Sequence, residues 1–186
     1  MTKLDTEDFF STMDKGCSDN QMIRFIISEK NYLIPDLYHT FQGKEFFVKS
    51  TKEELKKFSE ELTDKYTKLF NKNNIVELIE NILLKHIIGI ISLARKAKKV
   101  IIGIDEIKIK LKKNRIYLLL QAKDFSQKRE KQILLPAYQK YSINCLTKKE
   151  LGIAFGKKNI ANIGFLKSSF INPLISDTHL LQSLRN

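Results

Sequence analysis

Glycine and proline are scarce in this sequence: its 186 residues include only seven glycines and three prolines, and tryptophan is absent. Collagen-like and low-complexity chains need far more glycine and proline, so those classes are excluded. General disorder is excluded too, because 42% of the residues are hydrophobic and 10% are aromatic, which is enough for an ordinary packed core. The length suits one medium-sized domain or two small ones.

Cysteine is rare as well. Cys17 and Cys145 lie far apart in the chain, and neither belongs to a CxxC or other metal-ligand spacing. The simplest interpretation is a reduced intracellular protein, with a single disulfide between the two as the alternative.

No segment has the pattern of a secretory signal or a membrane span. Residues 1–15 carry four acidic side chains, whereas a signal peptide begins with basic and then apolar residues. The most apolar stretch, residues 75–94, is interrupted by charged side chains such as Glu80 and Lys85, and a span needs about 20 largely uncharged residues. We therefore expect a cytoplasmic protein with no membrane partner.

Catalytic and nucleotide-binding motifs are also missing. There is no GxxxxGK[ST] or GxGxxG motif, and His39, His86 and His179 stand alone in the sequence. Asp105 and Glu106 could serve as paired carboxylates in acid–base chemistry, but capping and first-turn charge of a helix explain them more simply. The sequence predicts a protein that is not an enzyme and has no cofactor and no metal.

The net charge of +12 belongs to one part of the chain. Residues 1–74 contain 12 Lys/Arg and 13 Asp/Glu, whereas residues 75–186 contain 21 and 8. A codon bias towards lysine is the other explanation, but it would enrich both parts in lysine. It would not lower the number of acidic residues in residues 75–186 alone. A polyanionic partner explains the asymmetry better, and RNA is the expected one, with a membrane surface as the rival polyanion.

Residues 1–74 are predicted to form a small α+β domain. β-branched and aromatic runs predict its strands. Ser50 or Thr51 can cap a following helix, with helical segments reaching Phe70. The polar residues 71–74 are the predicted domain boundary. The predicted strands are residues 22–27, 32–34 and 45–48.

Residues 75–186 alternate between predicted helices and strands. The apolar run 116–120 is typical of a strand covered on both faces. Such alternation indicates βαβ units and a three-layer α/β/α sandwich of about 110 residues. The predicted helices are residues 75–97, 105–113, 127–131, 148–155 and 176–184, and the predicted strands are residues 100–102, 116–120, 142–146 and 160–166.

Lysines cluster near several of these predicted strand ends. Residues 103–106 and 147–149 each follow a strand, so both loops are expected at one edge of the sheet. A helix N-terminus at that edge offers N–H groups to a phosphate, and lysines neutralise neighbouring phosphates. A solvated lysine face is the alternative for any one cluster. The clustered lysines are Lys96, Lys98, Lys99, Lys108, Lys110, Lys112, Lys113, Lys148, Lys149, Lys157 and Lys158.

Three segments of the second part match one family in order. LARKAKKVIIG at residues 93–103, LLLQAKDFS at 118–126 and TKKELGIAFGK at 147–157 resemble the LARxAGKxxxG, LLLxAxDxS and TxxELGxAxG segments of the L-seven-Ae family of RNA-binding proteins. The resemblance implies an alternating sandwich. Many members of this family bind kink-turn RNA, a sharply bent internal loop.

The resemblance implies RNA contacts from two loops. Asp105 stands where the eukaryotic and archaeal pattern GxNExxK has Asn, and Ile109 stands at its Lys. Asp lacks the amide donor of Asn and repels a phosphate, so general RNA binding is expected rather than strict kink-turn recognition. The candidate RNA-binding residues are Lys96, Lys98, Lys99, Gly103, Asp105, Glu106, Lys108, Lys110, Leu146, Thr147, Lys148 and Lys149.

The first part resembles another family. MIRFII at residues 22–27, IPDL at 34–37 and Gly43 with 47–48 look like the YlxR family, whose small α/β modules are proposed to bind RNA through a basic cleft that includes a GRG motif. Gly43-Lys44-Glu45 replaces GRG here, and the resemblance leaves Arg24 and Lys44 as RNA-binding candidates. A YlxR-like domain before an L-seven-Ae-like domain matches a fusion typical of alphaproteobacteria.

The expected function is non-catalytic binding of structured RNA, ribosomal or otherwise non-coding. The alternative is an adaptor whose near-neutral first domain docks to a protein partner of the translation or RNA-processing machinery. Tyr38, Phe46 and Phe47 are candidate surface residues for that role, although core packing is the other explanation for the phenylalanines. An RNA-modifying enzyme is a third hypothesis, but it lacks any nucleophile, metal or cofactor motif.

Overall fold

The computed structural model describes residues 22–29, 32–61, 75–125 and 142–185. They form a mixed α/β structure, which confirms the predicted fold class. The described residues fall into two compact units. The first lies within Met1–Asn81 and Ser183–Asn186, and the second is Ile82–Gln182.

The first unit contains a three-stranded antiparallel sheet with β1 in the middle. Ile23 and Phe25 of β1 are buried on one face, because successive side chains of a strand point to opposite faces, and Ile26 is buried on the other. Phe25 of β1 stacks on Phe46 at 5.5 Å between ring centroids and contacts Phe58 at 5.0 Å. These three rings form the centre of its core. The strands are β1 (Met22–Ile27), β2 (Leu33–Pro35) and β3 (Lys44–Lys49).

Helix α1 (Lys52–Glu61) follows β3 directly. Its cap is Thr51, one of the two predicted candidates, because the Thr51 Oγ1 accepts a hydrogen bond from the backbone N–H of Glu54 at 3.3 Å. The predicted helical extension to Phe70 and the predicted boundary at residues 71–74 lie outside the described residues.

The second unit is built on a four-stranded sheet in the order β4-β7-β5-β6. Strands β4, β5 and β6 run in one direction, and β7 runs against both of its neighbours. The predicted strand at 142–146 is shorter than expected, and the one at 116–120 is displaced towards its C-terminus. The strands are β4 (Val100–Ile102), β5 (Leu118–Gln121), β6 (Ser142–Ile143) and β7 (Asn162–Phe165).

Four helices accompany this sheet in sequence, and the helix predicted at 127–131 lies outside the described residues. The last helix begins at Ile171, five residues before the predicted start. Pro173 lies in its first turn, where a proline is tolerated because the missing N–H has no partner within the helix. The helices are α2 (Ile75–Lys96), α3 (Ile104–Lys112), α4 (Lys148–Ile153) and α5 (Ile171–Arg185).

Both faces of the two central strands are buried, as the apolar run predicted. On one face, Ile107 and Leu111 of α3 form a cluster with Ile101 and Leu119 of the sheet. Gly164 keeps this layer tight, since an added Cβ would lie 2.8 Å from a side-chain atom of Ile116. The residues of the opposite face are Leu118, Leu120, Ile163 and Phe165, none more than 1% exposed.

The reversed direction of β7 comes from the short helix before it. Six residues make α4 about 9 Å long, and the chain then doubles back against it. Gly152 permits this turn, because a Cβ there would lie 2.3 Å from the carbonyl oxygen of Lys157. The backbone N–H of Ile160 donates to the carbonyl of Lys148 at 3.0 Å. The chain therefore returns to the edge at which α4 began, and β7 must run back across the sheet.

Candidate nucleic-acid interface

The structure brings the two predicted RNA-binding loops to one edge of the second sheet. Ile102, Leu120 and Ile143 lie in one row across the sheet with Ile163, and each of the first three is near the carboxyl end of its strand. The loops that begin at Gly103 and after Ile143 therefore lie three strand spacings apart, about 14 Å. We call this the carboxyl-edge surface. It consists of Gly103, Ile104, Asp105, Glu106, Thr147, Lys148 and Lys149. The predicted RNA-binding residue Leu146 is only 2% exposed and belongs to the core, and Lys157 and Lys158 are exposed beyond the other end of α4.

Helix α3 begins at this surface without a side-chain cap. Gly103 occupies the capping position with a φ of 101°, and among the described residues no side chain makes a capping hydrogen bond there. Asp105 and Glu106 are exposed in that turn, where their charges oppose an incoming phosphate. The first-turn amides of α3 therefore remain available to a ligand acceptor.

The lysines in the middle of α3 are less exposed than the sequence predicted. Lys108 and Lys110 are half-buried rather than projecting fully into solvent. Ile109, at the position where the family pattern has lysine, is instead the exposed residue, with 53% of its surface accessible. The outer side of this helix therefore presents an apolar side chain between two partly covered lysines.

Helix α4 begins with a complete capping box, so it presents fewer free amides than α3. Thr147 Oγ1 accepts from the N–H of Glu150, and the Glu150 carboxylate accepts from the N–H of Thr147. The N–H of Lys148 donates to Asp124 at 2.8 Å. What α4 offers a phosphate is the charge of Lys148 and of the exposed Lys149.

Two buried amides lie beneath this edge. Gln121 and Asn162 pair across β5 and β7, and both are at least 94% buried. Gln121 Oε1 accepts from Ser142 at 3.1 Å. Within the described ranges, Gln121 Nε2 and Asn162 Oδ1 have no hydrogen-bond partner. An unsatisfied buried polar group is costly, so these two atoms reduce the stability of the sheet at this edge.

The lysines before β4 lie at the other end of that strand. Lys96, Lys98 and Lys99 are exposed and are separated from Gly103 by the length of β4, about 10 Å. The sequence predicted one RNA-binding site that contains both these lysines and the two loops. In the structure the lysines and the loops lie at opposite ends of the strands. We call this second region the amino-edge surface. It consists of Lys96, Lys98, Lys99, Lys112, Lys113, Arg115, Tyr117 and Lys167.

Arg115 follows the lysine cluster of α3 in the sequence, but sequence analysis did not identify Tyr117 and Lys167 as members of the amino-edge surface. Lys167 follows β7, and a sandwich of parallel βαβ units predicts that the residues after each strand reach the carboxyl edge. The antiparallel direction of β7 sends Lys167 to the opposite edge. The only sequence signal for this was the glycine in ELG, which permits the chain to double back.

Arg24 of the first unit is bound by carboxylates. Its guanidinium forms ion pairs with Asp36 and Glu45, and its side chain is only 11% exposed. Burial raises the pKa of Asp36, but hydrogen bonds from Thr40 and Phe41 and the Arg24 charge outweigh it and lower that pKa overall. Arg24 thus orders the loop after β2, and its charge is already compensated.

The other predicted residues of the first unit divide between surface and core. Lys44 is exposed at the start of β3. Phe46 is 4% exposed and belongs to the core, and Phe47 is half-buried. Tyr38 and Phe41 are exposed by 38% and 50%. Core packing is therefore the correct explanation for Phe46.

The described residues offer neither a metal site nor a membrane-spanning helix. No group of three or more His, Cys, Asp or Glu side chains in these ranges is placed to hold a metal ion. None of the helices in these ranges combines the length and apolar character needed to cross a bilayer.

No protein-family model matches the sequence, and no curated protein matches it either. Among solved structures, a protein of unknown function from Bacillus halodurans C is similar at 19% sequence identity and a TM-score of 0.43. The alignment covers 50% of this chain and 96% of that protein. A likeness at this level says nothing about function.

Proposed function

We propose that this protein is a cytoplasmic, non-catalytic RNA-binding protein that recognises structured RNA, ribosomal or otherwise non-coding, through its second unit. The observation that carries the proposal is the convergence of two loops at the carboxyl-edge surface. One loop opens an uncapped helix, and the other carries Lys148 and Lys149 at the start of a second helix. Helix amides and lysines together are suited to phosphate oxygens.

The distribution of charge favours recognition of shape over recognition of sequence. Asp105 and Glu106 lie beside the α3 amides, so a phosphate can approach only where it avoids both carboxylates. A bent RNA backbone, which presents phosphates at unusual positions, meets this condition better than a regular helix does. Double-stranded RNA is read mainly by shape and backbone contacts.

The test is an RNA-binding titration of the full chain by fluorescence anisotropy. The probes are a hairpin containing a kink-turn and a regular duplex hairpin of equal length. We expect both hairpins to bind at low salt, the kink-turn hairpin more tightly but not exclusively, with affinities that fall steeply as salt rises. Lys148→Glu with Lys149→Glu should weaken binding at least tenfold and reduce the log–log salt slope by about 2.

A matched control separates local contacts from net charge. Lys52→Glu with Lys56→Glu changes the net charge by the same amount at exposed positions of α1. We expect this control to bind RNA within about twofold of the unmodified protein. The proposal is overturned if neither hairpin binds at low salt, or if the control loses as much affinity as the carboxyl-edge variant.

The adaptor hypothesis is supported by a separate observation in the first unit. Phe41 is 50% exposed on a loop that Asp36 holds through the backbone N–H groups of Thr40 and Phe41. An ordered loop that displays an aromatic side chain is suited to a protein partner, because binding then costs little ordering entropy. Full-length Phe41→Ser should lose a co-purifying translation or RNA-processing protein while keeping its RNA affinity. Unchanged co-purification would contradict the hypothesis.

A further inference from the structure

The amino-edge surface is more positive than the carboxyl-edge surface and contains no acid. It presents seven cationic side chains, all exposed: Lys96, Lys98, Lys99, Lys112, Lys113, Arg115 and Lys167. No Asp or Glu occurs in residues 94–102, 111–121 or 164–172, the segments that supply them. The loops of the carboxyl edge, in contrast, include Asp105, Glu106, Asp124 and Glu150. None of the seven cations has an ionic partner among the described residues.

Backbone hydrogen bonds fix the loops of this surface next to one another. The N–H of Leu166 donates to the carbonyl of Lys99 at 2.9 Å, and the N–H of Tyr117 donates to the carbonyl of Phe165 at 2.8 Å. The backbones of Lys99 and Tyr117 are thus two strand spacings apart, about 10 Å, with the residues that lead to Lys167 between them. The charges come from separate parts of the sequence but share one end of the sheet.

Two helices end at this surface in the same way, each with a non-glycine residue in the left-handed region. Lys98 has a φ of 56° and Asn114 a φ of 51°. The N–H of Lys99 donates to Ala94, and that of Arg115 donates to Lys110, which is the hydrogen-bond pattern that normally places glycine at this position. Asparagine tolerates this conformation, but the Cβ of a lysine is strained there relative to glycine. A cation therefore stands at a position where its side chain costs folding free energy.

Tyr117 supplies an aromatic ring among these cations. It is 43% exposed, although it precedes a strand in which every residue is buried. Sites for unpaired nucleic-acid strands combine positive charge along the backbone with aromatic rings on which bases stack. A membrane surface instead selects amphipathic helices with several large apolar side chains, and Tyr117 is the only exposed large apolar residue in the loops of this surface.

We propose that the amino-edge surface is a second RNA-binding site, which takes an unpaired RNA segment with its phosphates on the lysines and a base on Tyr117. The site lies at the opposite end of the strands from the carboxyl-edge surface. The strands between the two surfaces are three or four residues long, so they alone separate the surfaces by about 10–13 Å, and the loops at each end increase this distance. One unit can therefore hold two RNA segments at once. The existence of a second site rests on the proposed RNA-binding function of the carboxyl edge.

The experiment measures capture of a second RNA by the full chain. The kink-turn hairpin is immobilised and saturated with protein, and a fluorescent unstructured 12-nucleotide RNA is then added at low salt. Lys113→Glu with Arg115→Glu changes the amino edge, and Lys148→Glu with Lys149→Glu changes the carboxyl edge. Lys52→Glu with Lys56→Glu is the control of equal charge. Tyr117→Leu tests stacking separately, and Lys99→Gln with Lys167→Gln is a milder second amino-edge variant.

We expect the unmodified protein and the control to capture the 12-mer. The amino-edge variants should reduce capture at least tenfold while hairpin affinity stays within about threefold, and Tyr117→Leu should reduce capture about five- to tenfold, as loss of one stacked base implies. Sedimentation of the captured complex should give one protein chain with two RNAs.

Several outcomes would overturn the second site while leaving the first intact. These are hairpin binding without capture of the 12-mer, normal capture by the amino-edge variants, or capture only by complexes with two protein chains. Binding of the amino edge to phosphatidylserine vesicles without capture of the 12-mer would overturn it in favour of a membrane surface. Loss of hairpin binding in the amino-edge variants would show that both edges contact the same RNA, and would overturn the proposal of a separate second site. Failure of the hairpin to bind at all would overturn both proposals.

Discussion

Lys98→Gly should make the second unit more stable. Lysine in the left-handed region costs about 1–2 kcal/mol relative to its preferred conformations, and Lys98 has a φ of 56°. Glycine avoids that cost but gains conformational freedom in the unfolded chain, which offsets about 0.4–1 kcal/mol. Lys98 is exposed, so little packing is lost. We expect a net increase of about 0.5–1 kcal/mol in the free energy of unfolding.

Urea unfolding followed by far-UV circular dichroism measures this change. With a slope of about 2 kcal/mol per molar urea, the midpoint should rise by about 0.25–0.5 M. Two controls isolate the cause. Lys98→Ala removes the same charge but keeps a Cβ in the left-handed region, so it should give no comparable gain. Asn114→Gly should change stability less than Lys98→Gly, because asparagine already tolerates this conformation.

The reasoning is refuted if Lys98→Gly is no more stable than Lys98→Ala, since relief of charge repulsion would then account for any gain. It is also refuted if Lys98→Gly is less stable than the unmodified protein. In the RNA capture assay, Lys98→Gly should weaken binding of the 12-mer although it stabilises the fold. Opposite effects of this substitution on stability and on binding would show that Lys98 contributes to RNA binding at the expense of folding stability.

Three further predictions concern a tight glycine, a helix cap and a buried carboxylate. Gly152→Ala should lower the free energy of unfolding in urea by about 1–3 kcal/mol, because its Cβ would meet the backbone of Lys157 at 2.3 Å. Gly89→Ala, whose Cβ would have nothing within 4 Å, should raise the free energy of unfolding by up to about 1 kcal/mol. Equal effects of the two substitutions would contradict this account. Thr147→Ala should cost about 1 kcal/mol by removing the cap of α4, and Thr147→Ser should restore most of it. Asp36 has a folded pKa below its ordinary value of 3.8, so its contribution to stability is complete above that pH and is lost as pH falls through the folded value. Asp36→Asn should therefore be less stable than the unmodified protein at pH 6, and the difference should shrink as the pH falls below 3.8. A constant difference would be evidence against this role.

Local patterns predicted the elements well where one side-chain type dominates. The run 22–27 was found as β1 with the same limits, and the strand 100–102 was found as β4. Helix α2 begins at the predicted residue and ends one residue early. In each case the prediction rests on residues that are close together in the sequence, because runs of β-branched residues and helical spacing are local sequence signals.

The division of the candidate site between two edges could not be predicted in this way. The alternation of helices and strands correctly placed the loops after β4 and β6 at one edge, but it gave no direction for β7. That direction depends on the turn after Gly152, where the carbonyl of Lys157 approaches too closely for a side chain. The left-handed conformation of Lys98 was also hidden, because lysine is not a residue that signals it. Both features arise from tertiary contacts rather than from local preference.

The central position of β7 has a consequence for how the second unit folds. During synthesis β4 and β5 emerge before Asn162, yet neither pairs directly with the other, because β7 lies between them. Until β7 arrives, the inner edges of β4 and β5 are unpaired and open to pairing with other chains. Formation of the sheet thus waits for a strand about 60 residues after β4, a non-local step of the kind that slows folding. A ribosome-bound intermediate without residues 162–165 is the state in which this unit should be most prone to aggregate.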